Sequence, residues 1–154
     1  MTPAVKQLKQ TKITFVLHYY QHDANASSYG NEAVEKLNVS KQQVFKTLVV
    51  SDEKEKLSVA IVPVDRQLNL KAMAKALKVK KIKLAEAKKV VSSSGYILGG
   101  VSPLGQKRKL TTVIDQSSQN FTTIFVSGGK RGLEIELSPD DLASATQATF
   151  SCLC

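Results

Sequence analysis

The sequence predicts an α+β protein, with a mixed, mostly antiparallel curved sheet and helices around it. Three observations lead there. Two apolar, β-rich runs, Val44–Val50 and Leu57–Val64, are joined by a polar turn and read as an antiparallel hairpin. Helical stripes with capping residues interrupt the strands without strict alternation, which argues against a doubly wound sheet. The 154 residues, 42% hydrophobic and 23% charged, make one well-filled core, so a single domain over residues 1–154 is expected.

Thr2-Pro3 is a helix start, a capping hydroxyl followed by proline at the first helical position, and that helix should reach Lys9. Ile13, Phe15, Leu17 and Tyr19 alternate as in a half-buried strand. Ser27 to Gly30 reads as a loop, with Asn31 capping a helix through Asn38. Ser51 to Lys54 turns between the hairpin strands, and Pro63 must sit at an edge or a strand end. Asn69 caps a helix whose Leu70, Met73, Ala74 and Leu77 form its packing stripe, leaving Lys71, Lys75 and Lys78 outside. A short segment at Ile82 to Leu84 precedes a helix near Glu86 to Val91, and Ser92 to Gly95 breaks the chain. Leu110–Ile114, Phe121–Val126 and Leu133–Leu137 are strands. Ser138-Pro139-Asp140-Asp141 starts the last helix, with two acids at the positive end of its dipole. The tail after Thr146 carries no clear signal.

Charge narrows the partners. Twenty-two Lys and Arg face thirteen Asp and Glu, a net charge of +9, and the stretch from Lys71 to Lys89 holds eight lysines against Glu86 alone. Such a surface concentrates polyanions, so nucleic acid is the first partner to consider, with a solvated, solubilising helix as the alternative. No apolar run is long enough to cross a membrane, and the N-terminus has no apolar signal core, so a cytoplasmic protein is expected. Cys152 and Cys154, one residue apart, cannot staple a fold, which suits a reducing compartment.

Familiar motifs nearly occur and fail. Gly100 and Gly105 have P-loop spacing, but Gln106 stands where lysine is needed. Gly100 to Gly105 is one residue too long for a nucleophile elbow, and Pro103 lacks the N–H an oxyanion hole requires. His18 and His22 lie in a strand and a loop rather than on a helix, so they read as ordinary polar residues. Neither they nor the two cysteines suggest a metal site, and no cofactor is expected.

Lys46 is the anomaly. It lies inside an apolar strand, on the face of Val44, Leu48 and Val50, where desolvating an ammonium is expensive. It either reaches the rim or lines a polar cavity that receives an anionic or carbonyl ligand. Gly99-Gly100 and Gly128-Gly129 each follow an apolar strand and could bring backbone N–H groups close to such a ligand. Ser102 and Ser127 add hydroxyls, while Lys107, Lys130 and Arg131 add charge that could clamp phosphates. Tyr20 and Tyr29 could wall the pocket or stack on a base.

These residues carry a resemblance to the YbaK-type aminoacyl-tRNA deacylases, relatives of the editing domain inserted in bacterial prolyl-tRNA synthetases. It runs through Tyr29-Gly30-Asn31-Glu32, Val44-Phe45-Lys46-Thr47-Leu48, Gly95 to Lys107 and Val126 to Leu137. The resemblance implies a sheet closed into a barrel-like body with surrounding helices. It implies hydrolysis of mischarged Cys-tRNA(Pro), in trans beside prolyl-tRNA synthetase. It places the family's essential lysine at Lys46 and pocket residues at Tyr20, Thr47, Gly99, Gly100, Ser102 and Ser127. Glu134 departs from the Asp or Gln of the family pattern, and the Cys152/Cys154 tail matches no family motif.

An activated ester with no evident protein nucleophile suggests that the substrate cysteine's own thiolate attacks its carbonyl. Lys46 then holds the ester, and amides of Gly99-Gly100 or Ser127-Gly128 bind the oxyanion. Two other readings stand: a deacylase of Ala- or Ser-tRNA using pocket water, and a non-catalytic tRNA-binding accessory of a synthetase.

Overall fold

Thr2 begins the fold by capping it: its Oγ1 accepts the Val5 N–H at 3.3 Å, and Pro3 opens α1 (Pro3–Lys9), which buries Ala4, Val5 and Leu8. The computed structural model describes residues 1–25 and 29–154. β1 (Val16–Tyr19) is shorter than the alternation from Ile13 suggests. Its partner β7 (Leu133–Leu137) ends one residue before Ser138, the cap of α5 (Pro139–Thr146), so the chain before Val16 has no strand left to pair with.

α2 (Tyr29–Leu37) starts before Asn31, which therefore sits in its first turn rather than at its cap; Ser27, expected to open the loop, lies outside the described residues. β2 (Phe45–Asp52) and β3 (Leu57–Pro63) form the expected antiparallel hairpin, with Pro63 at the strand end. β2 runs two residues past Val50 because the Asp52 carboxylate accepts the Lys54 and Lys56 N–H groups at 2.8 and 2.9 Å and closes the turn itself.

Asn69 caps α3 (Leu70–Leu77), accepting the Ala72 N–H at 3.0 Å. β4 (Ile82–Leu84) follows. α4 (Ala87–Ser94) includes the serines expected to break the chain. Ser94 Oγ donates back to the Val90 carbonyl at 2.6 Å, so the serines complete the last turn, and Gly95, at φ 81°, ends it. β5 (Thr111–Asp115) and β6 (Ile124–Ser127) flank a 3-10 turn at Gln116–Asn120. The tail forms β8 (Thr149–Ser151), a strand with no sequence signal, held because the Leu153 N–H donates to the buried Asp115 carboxylate at 2.8 Å.

Two sheets result, β1-β7-β6 and β4-β2-β3-β5-β8. Only β3–β5 and β5–β8 are parallel, so the sheets are mixed and mostly antiparallel. The barrel-like closure does not appear as one closed sheet among the described strands. The sheets meet at a single parallel bridge, Val44 to Phe125, and part on one side of it.

β2 divides its residues between two cores. Phe45 and Val49 share a face with Val59 and Ile61, which pack between the sheets against Leu8, Ile124, Ile135 and Leu142. Leu48 and Val50 share the opposite face with Ala60 and Val62, under Met73 and Ala74 of α3. Strand alternation puts Thr47 on the first face and Lys46 on the second.

Candidate active site

The site begins as a missing neighbour along β2. The Val64 N–H donates to Val44 O at 2.8 Å and the Asp52 N–H to Lys56 O at 3.0 Å. Even-numbered backbone groups of β2 therefore face β3, and odd-numbered ones face the other edge. β4 covers that edge from Asp52 to Val50, and the Ala85 N–H donates to Val49 O at 2.9 Å. β6 reaches it only at the other end, where the Phe125 N–H donates to Gln43 O at 3.0 Å. Between these two contacts the edge is open, and the N–H and C=O of Thr47 point into the gap.

A cavity of about 500 Å³ fills this gap. Phe45, Lys46, Thr47 and Leu48 form its floor. Ser127, Leu133 and Glu134 come from the three-stranded sheet and Tyr20 from just past the end of β1, while Leu84, Ala85, Val90, Leu98 and Gly99 form the opposite lip, with Lys130 and Arg131 also lining it. Because the edge is uncovered, the cavity reaches both faces of β2, so Lys46 and Thr47 line it together.

Its polar groups are largely unspent. The Thr47 hydroxyl is buried with no hydrogen-bond partner among the described residues, and so is Glu134 Oε2. Glu134 is 6% exposed, and burial pushes its carboxyl up to about 8. Burial, with the Glu134 charge beside it, also pushes Tyr20 up to about 12. Lys46 is half-buried, and among the described residues no carboxylate lies within ion-pair distance of it. Its charge is felt by Cys154, whose thiol burial and Asp115 push up to about 11 while Arg66 and Lys46 pull it down. Strand alternation puts Lys46 on the Leu48 and Val50 face, so its ammonium acts at the centre of the cavity by turning over the open edge.

Glu134 gives a pH signature. Its folded value of about 8 lies above the ordinary carboxylate value of 4.5. Between those values the folded chain holds a proton that the unfolded chain has lost, so stability falls as pH rises through that window. Glu134→Gln removes this loss. The variant should melt with wild type near pH 5 and above it at pH 9, by a few kcal/mol at about 1.4 kcal/mol per pH unit. Thermal unfolding at the two pH values checks this; a difference that does not grow with pH contradicts the buried, unpaired carboxyl.

The structure sorts the sequence candidates. Tyr20, Lys46, Thr47, Gly99, Ser127, Lys130 and Arg131 line one cavity. Gly100, Ser102 and Gly128 stand behind its wall. The Gly100 N–H is bound to Ile97 O at 3.0 Å and the Gly128 N–H to Leu133 O at 2.8 Å, so neither amide is free for an oxyanion. Ser102 is fully buried, and its Oγ accepts the Leu104 N–H at 3.2 Å. Gly100 serves by close approach instead: a Cβ there would stand 3.2 Å from Lys130 Cα, so the two glycine turns lie against each other. Tyr29 opens α2, and its side chain lies outside the described residues.

Lys71 and Lys75 are exposed along α3, and Lys78 ends that helix in the left-handed region; these three and the exposed Lys107 lie outside the cavity lining. No group of three or more metal-ligating side chains occurs among the described residues, and no helix among them is long and apolar enough to cross a membrane. Glu134 was legible only as a departure from a family pattern. The open edge of Thr47 had no local signal, since it depends on where β4 and β6 stop.

Comparison with known proteins bears on the family and the fold. Residues 23–145 match the model of the aminoacyl-tRNA editing domain. A protein of Enterococcus faecalis, whose still provisional name is Cys-tRNA(Pro)/Cys-tRNA(Cys) deacylase EbsC, is 34% identical over 150 residues, 97% of this chain and 91% of that one. The crystal structure of hypothetical protein APE2540 superposes with a TM-score of 0.88 at 28% identity, covering 99% of both chains. A protein described provisionally as a trans-editing enzyme for prolyl tRNA synthetase shares the fold at a TM-score of 0.81 and 19% identity, over 99% of this chain and 98% of that one.

Proposed function

The chain belongs to the aminoacyl-tRNA editing domain family and is an aminoacyl-tRNA deacylase, and we propose that its substrate is Cys-tRNA(Pro), cleaved with the help of the substrate's own thiol. The observation that carries this reading is the open edge of β2. It leaves the Thr47 backbone amide facing the gap, beside a lysine with no ion-pair partner among the described residues, in a cavity of a size to take one amino acid and its ester.

The aminoacyl end enters between the glycine turns and the lip formed by Leu84, Val90 and Leu98. The α-ammonium group pairs with Glu134. In the empty cavity burial holds that carboxyl largely protonated, and an arriving cation draws it into its charged form. The ester carbonyl lies over the open edge, where the Thr47 N–H donates to the oxygen and the Lys46 ammonium swings in to stabilise its growing charge. The Thr47 hydroxyl and Ser127 are left to orient the side chain.

Among the described residues, the cavity wall carries no histidine or cysteine. The substrate thiol loses its proton and its sulfur attacks the carbonyl carbon. The carbon–oxygen bond to the ribose breaks, and the ribose oxygen takes up a proton. The resulting four-membered thiolactone is opened by water to free cysteine. The cavity favours this route by holding the ester in place while the strained ring forms.

The exposed lysines of α3, with Lys107, Lys130 and Arg131, give the RNA a cationic approach, and a prolyl-tRNA synthetase working alongside would supply the mischarged tRNA(Pro). A reducing cytoplasm suits such a partner. The experiment is direct: tRNA(Pro) charged in turn with Cys, Ser and Ala is offered to the protein and each ester is followed. Preference for the cysteinyl ester supports the reading. Equal hydrolysis of all three points to a water-using deacylase, and hydrolysis of none to a tRNA-binding accessory.

A further inference from the structure

Half of the large hydrophobic side chains that stand exposed among the described residues come from one stretch of chain, Leu84 to Leu98. Leu84 is 56% exposed, Val91 41%, Ile97 63% and Leu98 48%. The others, Met1, Val16, Tyr19 and Leu70, are spread over the N-terminus, β1 and α3. Leu84 and Leu98 also line the cavity beside the open edge, as does Val90, so an apolar lip runs from inside the cavity out to solvent. Val91 and Ile97 are the chain neighbours of two of these lining residues.

The backbone holds the lip in place. Leu84 pairs with Val50 of β2, and the Ala85 N–H donates to Val49 O at 2.9 Å. Gly95, at φ 81°, turns the chain out of α4, with its N–H bound to Val91 O at 3.0 Å. Tyr96 is buried and its hydroxyl donates to Leu104 O at 2.5 Å, while the Gly100 N–H closes back on Ile97 O at 3.0 Å. Ile97 and Leu98 are therefore held at the tip of a turn whose two ends are tied down. These backbone bonds do not require apolar side chains at the tip. Polar ones would keep the same bonds and spare the cost of hydrocarbon exposed as a group to water.

The surroundings select the occupant. Lys83 and Lys88 are exposed on the same stretch, within the lysine-rich run from Lys71 to Lys89. An apolar surface with ammonium groups beside it suits a nucleotide, whose flat base covers hydrocarbon and whose phosphates meet cations. Four side chains also fall far short of the roughly 20–30 residues a side of a stable protein interface.

We propose that this lip seats the terminal base of the tRNA, the adenine of its CCA end, and that Leu84 and Leu98 are positioning residues that hold it. The proposal rests on the deacylase reading above and adds the part of the RNA end that stays outside the cavity. The ester and the base hang from the same ribose. With the aminoacyl group inside, that ribose lies at the cavity mouth, and the base lands within one sugar's width of it, where Leu84 and Leu98 pass from lining to surface. An adenine face resting on the two leucines removes hydrocarbon from water on both partners. It also fixes the sugar, so the ester carbonyl stays over the open edge of β2. Because every tRNA ends in this base, the lip grips the substrate without telling one tRNA from another.

The test titrates tRNA(Pro) ending in CCA, and the same tRNA lacking only its terminal base, against wild type, the double variant Leu84→Ser/Leu98→Ser, and Leu98→Met. Salt is held constant, and Cys-tRNA(Pro) hydrolysis is followed in parallel. Wild type should bind the complete tRNA about tenfold more tightly than the baseless one, the weight of one stacked base. The double variant should show no preference between the two RNAs, and Leu98→Met, which keeps the apolar surface, should retain it. Both leucines are about half exposed, so the substitutions leave the core intact. Equal binding of the two RNAs by wild type, a preference that survives in the double variant, or its loss in Leu98→Met overturns the proposal. Sedimentation of the same proteins reports the other occupant: wild-type self-association that the double variant abolishes, with no base preference, would make the lip a contact between copies of the chain. Failure of the deacylase reading would look different: no hydrolysis, with the base preference intact.

Discussion

Lys46→Ala should lower the single-turnover rate of Cys-tRNA(Pro) hydrolysis by about 10²–10³-fold, the usual cost of removing one donor to a developing oxyanion. The loss should fall on the rate rather than on tRNA binding, because the exposed lysines outside the cavity remain. The fold should survive. Lys46 is half-buried, and none of the ion pairs among the described residues involves it. It lies on an edge that already opens to the cavity. Unfolding within about 1 kcal/mol of wild type, measured alongside the rate, separates a lost chemical group from a damaged core. Turnover close to wild type would remove Lys46 from the reaction.

The second large effect lies in the substrate. Ser-tRNA(Pro) should be hydrolysed on the order of 10²-fold more slowly than Cys-tRNA(Pro), and Ala-tRNA(Pro) more slowly still. Serine and cysteine are nearly the same size, and a pocket separates such isosteres poorly by shape, by ~10²-fold at best even with favourable contacts. A thiol near pKa 8.5 yields a few per cent of a strong nucleophile at neutral pH, whereas a hydroxyl yields almost none. Alanine has neither. The fall in rate from Cys to Ser therefore follows nucleophilicity, because the two side chains differ little in volume. Equal rates for the cysteinyl and seryl esters would instead leave water as the nucleophile.

Local signals in the sequence reached far into this structure. Thr2-Pro3, Asn69 and Ser138-Pro139 each open a helix at the residue their capping chemistry specifies. The β2–β3 hairpin follows from two apolar runs and a turn that Asp52 closes. Lys46 stood out because an ammonium in an apolar strand demands a reason, and it lines the cavity beside the open edge. The two glycine turns drew attention as amide donors, but the Gly100 and Gly128 amides are already bonded, and the glycines matter for how closely the turns approach.

What stayed hidden depends on long-range pairing. β8 has no pattern of its own and forms because Asp115 and Asn69 hold the tail, the latter donating its N–H to Leu153 O at 2.7 Å. The vacant edge at Thr47 exists because β4 and the bridge to β6 stop short of each other. The pairing of His22 with Arg131 spans 109 positions, and nothing near either residue announces it.

The side chain of Lys46 leaves β2 on the face of Leu48 and Val50, and its charge reaches Cys154, whereas the ester must lie over the open edge beside Thr47. A crystal structure with a non-hydrolysable cysteinyl-sulfamoyl adenosine tests this directly. The ammonium nitrogen and the Thr47 amide nitrogen should both lie within about 3 Å of the oxygen that replaces the ester carbonyl. A bound ligand with that nitrogen out of reach of this oxygen, and the Thr47 amide unoccupied, would contradict the account.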